Sequence, residues 1–458
     1  MKKLYIKGFI LKILLLAVFY FWDVAMSSSG SNSMQTVLRS EQIQPIPSRI
    51  SNDLSDFDDF ENLESGIAFL LGKYDIKGAS IAVAKDGKLV FAKGIGYADA
   101  EAKEQVEPRH LFRVASVSKL ITATAIMKMT EFNLLNLDDK VFGPGGILND
   151  TIYFVYRDPR VEQITIRHLL NHSAGWNRRF GDHMFMPHLI AREVNTELPV
   201  EVPDIIQFAL KKRLHYNPGT RTSYSNLGYA ILGEVIESVS GMEYETYVRQ
   251  TILYPLGIQD MKIGGNLENE LDRNEVRYYE QSNARMVNSF YDIDEIVPKS
   301  YGGNDISTLG AAGGWIASPA EMLKLVVAID GSPDVPDILS QESVKMMTDA
   351  RLSGGHTIGW TGSDGRGNWW RTGTFAGTSA LVMRQNDGLT WAVFFNSSTF
   401  RGTTLSREIN REVQTALNII DHWPEEDLFY YFETPPFLYP DIAELNTDRS
   451  VNEDVWIR

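Results

Sequence analysis

Apolar positions follow strand-like alternation in some regions of the chain and helix-like spacing in others. Residues 55–74 place apolar side chains three and four positions apart, which predicts a helix. Two alternating apolar runs follow and flank Asp86-Gly87, a pair suited to the positive φ angles of a tight turn. We therefore expect a β-hairpin over residues 78–99, directly after the first helix.

Helical spacing dominates the middle of the chain. It recurs between residues 116 and 260 in four stretches: 117–132, 164–172, 201–214 and 224–241. A short run at 274–280 predicts a strand, and a Gly-rich turn is expected to lead into another helix within 311–329.

Strand-like patterns return after residue 355. Residues 368–398 predict two or three strands with a turn at 386–388, and residues 405–420 predict a closing helix. Strands near both chain ends with helices between them predict one sheet built from the two ends, with an inserted, mainly helical subdomain. The expected fold class is therefore α/β (α+β).

Composition narrows the classes of function. The 458 residues carry a net charge of −15, which argues against nucleic-acid binding because phosphate contacts need clustered Lys and Arg. The chain contains no cysteine, which excludes disulfides, thiolate metal sites and a cysteine nucleophile.

The first 27 residues have the pattern of a secretory signal. Three lysines come before an apolar run, and small residues follow near Ser27. We expect export to the periplasm or the cell exterior, with the segment either cleaved near residue 27 or kept as an N-terminal membrane anchor. The polar residues 28–54 predict a linker before one domain at 55–422.

The C-terminal tail, residues 423–458, combines negative charge with aromatic side chains. It holds nine acidic and two basic residues, a net charge of −7, together with eight aromatic residues. Disordered acidic tails are usually poor in aromatics, so we expect much of this tail to pack on the domain.

Ser116 and Lys119 carry the first sign of chemistry. Residues three apart on a helix share a face, so the Lys119 amine can reach the Ser116 hydroxyl. An amine among apolar neighbours has a lowered pKa and can then accept the proton of an attacking serine. The alternative is structural, because Ser-x-x-Lys arises by chance about once in a chain of this length, as a helix cap with a solvated lysine.

Two later motifs change this balance. Tyr224-x-Asn226 follows the Ser-x-x-Lys motif, and Arg371-Thr372-Gly373 comes next on a predicted strand. With these motifs the chain resembles the serine β-lactamase and penicillin-binding-protein superfamily, most closely its class C β-lactamase, DD-peptidase and class VIII esterase branch. The resemblance spans roughly residues 60–420 and implies an antiparallel sheet flanked by helices.

The resemblance also implies roles for individual residues. Ser116 would attack a carbonyl carbon and become acylated, while Lys119 and Tyr224 share the proton transfers. Asn226 would orient Lys119 and bind a substrate amide. The oxyanion hole would consist of the backbone N–H groups of Ser116 and Thr374.

Arg371 departs from the lysine or histidine that is commoner at this position of the family. Its permanently charged, forked guanidinium suggests a clamp for a substrate carboxylate, on a substrate-binding strand that also includes Thr372, Gly373 and Thr374. The departure weakens the case for efficient β-lactam turnover more than the case for hydrolysis.

Two other motifs are expected to be structural. His168 and His172 have a spacing that can bind metal, but they lack the intervening Glu of zinc proteases, so packing and capping are favoured. Ser173 mimics a nucleophile elbow but follows a helix rather than a strand. No metal or cofactor is expected.

The sequence therefore predicts an exported serine hydrolase that acts on an ester or amide, with D-amino acid or carboxylate-bearing compounds as candidate substrates. One alternative is a true β-lactamase or DD-carboxypeptidase, and another is an inactive binding protein. The expected partner is a small-molecule or peptide substrate, without nucleic acid, and with membrane contact only through an N-terminal anchor. The oligomeric state is left open.

Overall fold

The structure, a computed structural model, describes residues 50–399 and 403–430. The predicted signal or anchor at 1–27, most of the predicted linker, and residues 431–458 of the predicted tail lie outside the described residues. Among the described residues, no helix has both the length and the apolar character needed to cross a bilayer.

Seven strands of the described chain form the main sheet, and short strands form two smaller sheets. In chain order the strands are β1 (Gly78–Lys85), β2 (Lys88–Asp99), β3 (Glu104–Gln105), β4 (Phe112–Arg113), β5 (Lys262–Ile263), β6 (Val287–Asn288), β7 (Ile296–Val297), β8 (Trp315–Ala317), β9 (Gly362–Ser363), β10 (Trp369–Phe375), β11 (Thr378–Arg384) and β12 (Leu389–Phe395).

The main sheet joins the two chain ends, as the sequence predicts. Its order is β3-β2-β1-β12-β11-β10-β9, and β1 pairs antiparallel with β12 so that Ala82 lies opposite Ala392. The predicted turn between β1 and β2 forms with φ of 51° at Asp86 and 80° at Gly87. The predicted α/β (α+β) class and antiparallel sheet are confirmed.

Helices cover both faces of this sheet, and most of them lie in the sequence between its N-terminal and C-terminal strands. In chain order they are α1 (Glu61–Tyr74), α2 (Ser118–Glu131), α3 (Ile166–Leu170), α4 (Pro187–Val194), α5 (Val202–Leu210), α6 (Asn226–Ser240), α7 (Tyr244–Val248), α8 (Ile306–Gly313), α9 (Pro319–Val327), α10 (Gln341–Thr348), α11 (Ala350–Ser353) and α12 (Thr403–Leu417).

Alternation along β12 divides the core into two layers. Trp391 and Val393 face the apolar cluster built with α1 and α12, whereas Ala392 and Phe394 face the larger cluster built with α2 and α9. Because successive strand side chains point to opposite faces, this central strand is buried throughout. The second layer includes α2 and α6, the helices that carry Lys119 and Asn226.

Two local predictions were wrong. Residues 274–280 make only isolated bridges, at Glu275 and Tyr279, because their backbone groups bond to three separate segments of the chain. The helix predicted within 311–329 forms as α9, but the glycine-rich stretch before it is not a simple turn, since it contains the end of α8 and the short strand β8. In both places tertiary pairing replaces the local preference.

The described parts of the two flanking segments lie on the domain. Ile50 is 3% exposed, and the Asn52 side chain accepts a hydrogen bond from the Gly94 N–H at 2.7 Å. At the other end, Leu428 and Phe429 are buried, and the Phe429 ring lies 4.5 Å from the Lys324 amine.

Candidate active site

Ser116 lies on a short 3₁₀ turn, Ala115–Val117, at the entrance to α2. The preceding Ala115 has φ of 48°, a left-handed conformation that costs a residue with a Cβ of the order of 1 kcal/mol. The turn is held from the side, because the Val114 N–H donates to the Trp315 carbonyl of β8 at 3.0 Å. Tertiary contacts thus keep the half-buried serine in a strained, fixed position.

Lys119 is fully buried one turn further along α2. Its amine donates to the Asn226 Oδ1 at 2.7 Å and to the Ala312 carbonyl of α8 at 2.5 Å, and lies 3.4 Å from the Ser116 Oγ. Burial lowers the pKa of Lys119, and the charge of Arg371 lowers it further. The amine is thus aimed at the serine hydroxyl by two fixed carbonyl oxygens.

Tyr224 comes just before α6 and meets the serine directly. Its Oη shares a hydrogen bond with the Ser116 Oγ at 2.6 Å. Burial by itself would raise the pKa of Tyr224, but the charges of Lys119 and Arg371 lower it to about 8. A phenol with this pKa is partly ionised at neutral pH and can accept the serine proton.

Arg371 lies behind the serine rather than in front of it. Its side chain is 1% exposed, its Nε donates to the Ser116 carbonyl at 2.7 Å, and its Nη2 lies 3.4 Å from the Tyr224 Oη. The predicted carboxylate clamp needs a guanidinium that faces the cleft, so this geometry does not fit it. Arg371 instead holds the Ser116 turn and supplies positive charge beside the phenol.

Gly373 allows β10 to approach the turn that carries Ser116. A Cβ at this position would lie 2.1 Å from the Val114 carbonyl oxygen and 3.2 Å from the Ser116 nitrogen. Any other residue would therefore push the strand away from the serine.

Thr374 follows on the same strand and places its N–H at the open edge of the sheet. The Trp370 carbonyl and the Thr372 N–H both bond to Thr361 at that edge, and backbone groups alternate in direction along a strand. The Thr374 N–H therefore points the same way, past the short strand β9, where it is available as an oxyanion donor.

The side chains of Thr372 and Thr374 lie on the face of β10 opposite to Arg371 and Gly373. They line a cavity of about 780 Å³ together with Trp370 and residues of α12. The Ser116 turn therefore meets one face of β10, and this cavity occupies the other.

The model of the Beta-lactamase family matches residues 60–414. The chain belongs to this family. The predicted resemblance to β-lactamases and penicillin-binding proteins is confirmed, and with it the assignment to a family of serine hydrolases that share this fold.

The similarity to individual relatives covers only part of each chain. Protein flp from Staphylococcus aureus (strain COL) is 30% identical over 210 residues. These residues cover 45% of this chain and 38% of that protein, so the match spans well under half of the relative's length. The octameric penicillin-binding protein homologue from Pyrococcus abyssi has a TM-score of 0.60 at 27% identity, over 79% of this chain and 77% of that chain. The D-amino acid amidase from Ochrobactrum anthropi SV3 has a TM-score of 0.60 at 21% identity, over 79% of this chain and 99% of that chain, and so shares the fold.

This Beta-lactamase family member also has an acid in its site that the sequence analysis missed. Asp182, on the insertion that follows residue 177, accepts a hydrogen bond from the Asn226 Nδ2 at 2.7 Å. The same carboxylate caps the 3₁₀ turn His183–Phe185 by accepting from the Met184 N–H at 3.2 Å. Its charge raises the pKa of Lys119, against the effects of burial and of Arg371.

Asp182 therefore fixes which end of the Asn226 amide faces Lys119. We expect Asp182→Asn to lower kcat/KM about 10-fold, mainly through kcat. Without the carboxylate, the side-chain amide of Asn226 can rotate by about 180° and no longer orients the Lys119 amine. Removing the carboxylate should also lower the pKa of Lys119, which shifts the pH–rate profile. Steady-state kinetics across pH checks both effects.

Asp150→Asn is the matched control for this prediction. Asp150 caps the 3₁₀ turn Thr151–Phe154 in the same way, through Ile152 N–H at 3.0 Å, but has no contact with the motif residues among its hydrogen bonds. Equal losses in the two variants would contradict a positioning role for Asp182.

The remaining motif residues have structural contacts. His168 accepts from the Thr165 N–H as part of a helix capping box, and Ser173 is buried with its hydroxyl on the Asn171 Oδ1 at 2.6 Å. His172 packs with its ring 4.6 Å from that of Tyr224, and burial holds the pKa of His172 well below its ordinary value. Within residues 50–399 and 403–430, no group of three metal-ligating side chains comes together.

Proposed function

We propose that this protein hydrolyses an ester or amide through an acyl-Ser116 intermediate. The observation that carries the proposal is the 2.6 Å contact between the Ser116 Oγ and the Tyr224 Oη, with Lys119 fully buried behind it. A structural serine does not need a strained turn, a buried amine and a tyrosine of lowered pKa.

Acylation begins when the Ser116 hydroxyl gives its proton to the Tyr224 phenolate and its oxygen attacks the substrate carbonyl carbon. The C–O bond forms, and the carbonyl oxygen takes up negative charge between the N–H groups of Ser116 and Thr374. Tyr224 then passes the proton to the leaving alcohol or amine as the bond between the carbonyl carbon and the leaving group breaks. Lys119 and Arg371 stabilise the phenolate throughout.

Deacylation uses the same groups in reverse. A water molecule gives its proton to Tyr224 and attacks the acyl carbon, and the proton returns to the Ser116 Oγ as the ester bond breaks. Because Lys119 bonds to two protein oxygens, its position is unchanged between the two half-reactions.

The proposed substrate class is an ester or an amide that includes D-amino acid derivatives. It is supported by the fold that this chain shares with the D-amino acid amidase. Nitrocefin, placed beside esters and D-amino acid amides in one panel, distinguishes a β-lactamase from the proposed hydrolase.

Active-site labelling tests the proposal. We expect a fluorophosphonate probe to add one adduct to the intact protein, mapped by peptide mass to Ser116, and we expect Ser116→Ala to remain unlabelled. Ser173→Ala is the control, since Ser173 lies in the motif that imitates a nucleophile elbow, and it should label like the wild type. Labelling at Ser173, or equal labelling of the Ser116→Ala protein, would rule the mechanism out.

A further inference from the structure

Two arginines lie near the Tyr224 ring, and they differ in their exposure to solvent. The Arg178 guanidinium carbon is 5.8 Å from the centre of the Tyr224 ring, and Arg178 is an exposed residue. Arg371, which the sequence suggested as the substrate clamp, is buried and has its Nε on a protein carbonyl. Of the two, Arg178 is therefore the arginine that a substrate can reach from solvent.

The turn that carries Arg178 is anchored to the site. The Arg178 N–H donates to the Ser223 hydroxyl at 3.2 Å, next to Tyr224 in the sequence. The Asn177 side chain caps the same turn by accepting from the Arg179 N–H at 3.1 Å. One residue on, the Phe180 ring stacks on His215 with centroids 4.3 Å apart. These contacts hold the Arg178 backbone at a fixed place above the tyrosine.

The charge of Arg178 has no acidic side chain as its partner among the described ion pairs. Asp182 is the nearby acid on the same insertion, but its oxygens accept from Asn226 and Met184. A guanidinium on an aromatic face keeps its N–H groups at the edges free for an anion. In a chain of net charge −15, this cation also counters the general repulsion of anionic substrates.

The position of Arg178 indicates which part of the substrate it meets. Tyr224 hands the proton to the leaving group, so the leaving group must lie beside the Tyr224 Oη in the reacting complex. A cation over the same ring lies on that side of the cleaved bond. We propose that Arg178 is a specificity-determining residue that binds a carboxylate on the leaving group of the substrate, an inference that rests on the proposed hydrolase function.

Two esters that differ only in this charge test the proposal. In 3-acetoxybenzoate the leaving phenol carries a carboxylate, and in 3-acetoxybenzamide it carries an uncharged amide of similar shape. We expect kcat/KM of the wild type to be at least about 10-fold higher for the carboxylate, as for a charge-assisted bidentate contact. In Arg178→Met the ratio should fall to within about twofold of one, chiefly through KM, and Arg178→Lys should retain part of the preference.

Arg179→Met is the matched control, because Arg179 is the neighbouring exposed arginine and its loss changes the net charge by the same amount. Its ratio should equal that of the wild type. An unchanged ratio in Arg178→Met, or an equal fall in Arg179→Met, overturns the proposal.

Binding to the inactive Ser116→Ala protein separates this proposal from the hydrolase function. By titration calorimetry, 3-acetamidobenzoate should bind at least about fivefold more tightly than 3-acetamidobenzamide when Arg178 is present, and equally when Ser116→Ala is combined with Arg178→Met. If neither ester is hydrolysed, the proposed function fails, and this binding difference alone decides whether Arg178 recognises the carboxylate.

Discussion

Tyr224→Phe should lower kcat/KM for a neutral ester by about 10³-fold, within the range that general acid–base groups contribute. The substitution removes one oxygen atom and leaves the ring, so its contacts with His172 and Lys119 remain. What is lost is the 2.6 Å contact with the Ser116 Oγ and the group that returns the proton to the leaving atom. The loss should appear in kcat, since the substrate does not depend on this oxygen for binding.

The pH dependence of the wild type follows from the same residue. The pKa of Tyr224 is lowered to about 8 by Lys119 and Arg371, so the reactive phenolate increases as the pH rises toward that value. We expect kcat/KM to increase about 10-fold per pH unit below pH 8 and to level off above it. In Tyr224→Phe this rise should disappear.

Tyr156→Phe is the control for both measurements. Its phenol donates to the Glu162 Oε1 at 2.5 Å, in a contact that includes none of the motif residues. It should retain the activity and the pH profile of the wild type. Near-wild-type turnover by Tyr224→Phe would show that Lys119 alone accepts the serine proton.

Gly373→Ala should reduce kcat/KM by at least about 10²-fold, the loss typical of a catalytic group displaced by about 1 Å. The new Cβ would lie 2.1 Å from the Val114 carbonyl oxygen, and both groups belong to backbone that cannot rotate away. The strand must therefore retreat from the nucleophile turn. That movement separates the Thr374 N–H from the Ser116 N–H and opens the oxyanion hole.

Stability measurements distinguish this local effect from unfolding. Gly72→Ala is the control, because Gly72 lies within α1 and an added Cβ meets nothing within 4 Å. It should stabilise the protein by about 0.5–1 kcal/mol and leave activity unchanged. A Gly373→Ala protein with wild-type activity would mean that β10 does not form the wall of the site. Thermal unfolding should still be cooperative in both variants.

Much of the fold could be predicted because its signals are local. Alternation around Asp86-Gly87 predicted the β1–β2 hairpin, and the three-to-four spacing in α2 and α6 predicted helices at the two motif positions. The strand β8 could not be predicted, because its three residues are held by pairing with β4 and β5 rather than by their own preferences.

The site, too, has one part that the sequence predicted and one part that it did not. Ser116 and Lys119 share a helix face, so their proximity follows from the sequence. The resemblance to the family implied that Tyr224 and β10 would join them. The direction of the Arg371 side chain did not follow, since a strand residue can face either side and only packing selects one. Asp182 carried no signal at all, because it lies in an insertion with no periodic pattern.

Local patterns in the chain are thus enough to identify the helices, the central hairpins and the pairing of Ser116 with Lys119, and the family resemblance adds Tyr224. The assembled structure decides the rest: which arginine is buried behind the serine, which one is exposed near Tyr224, and how closely β10 approaches Val114. The physical reason is the sequence separation of the interacting residues, because helix faces and turns depend on neighbours within a few residues. Burial and charge at this site, by contrast, depend on segments up to 255 residues apart, as in the contact of Arg371 with Ser116.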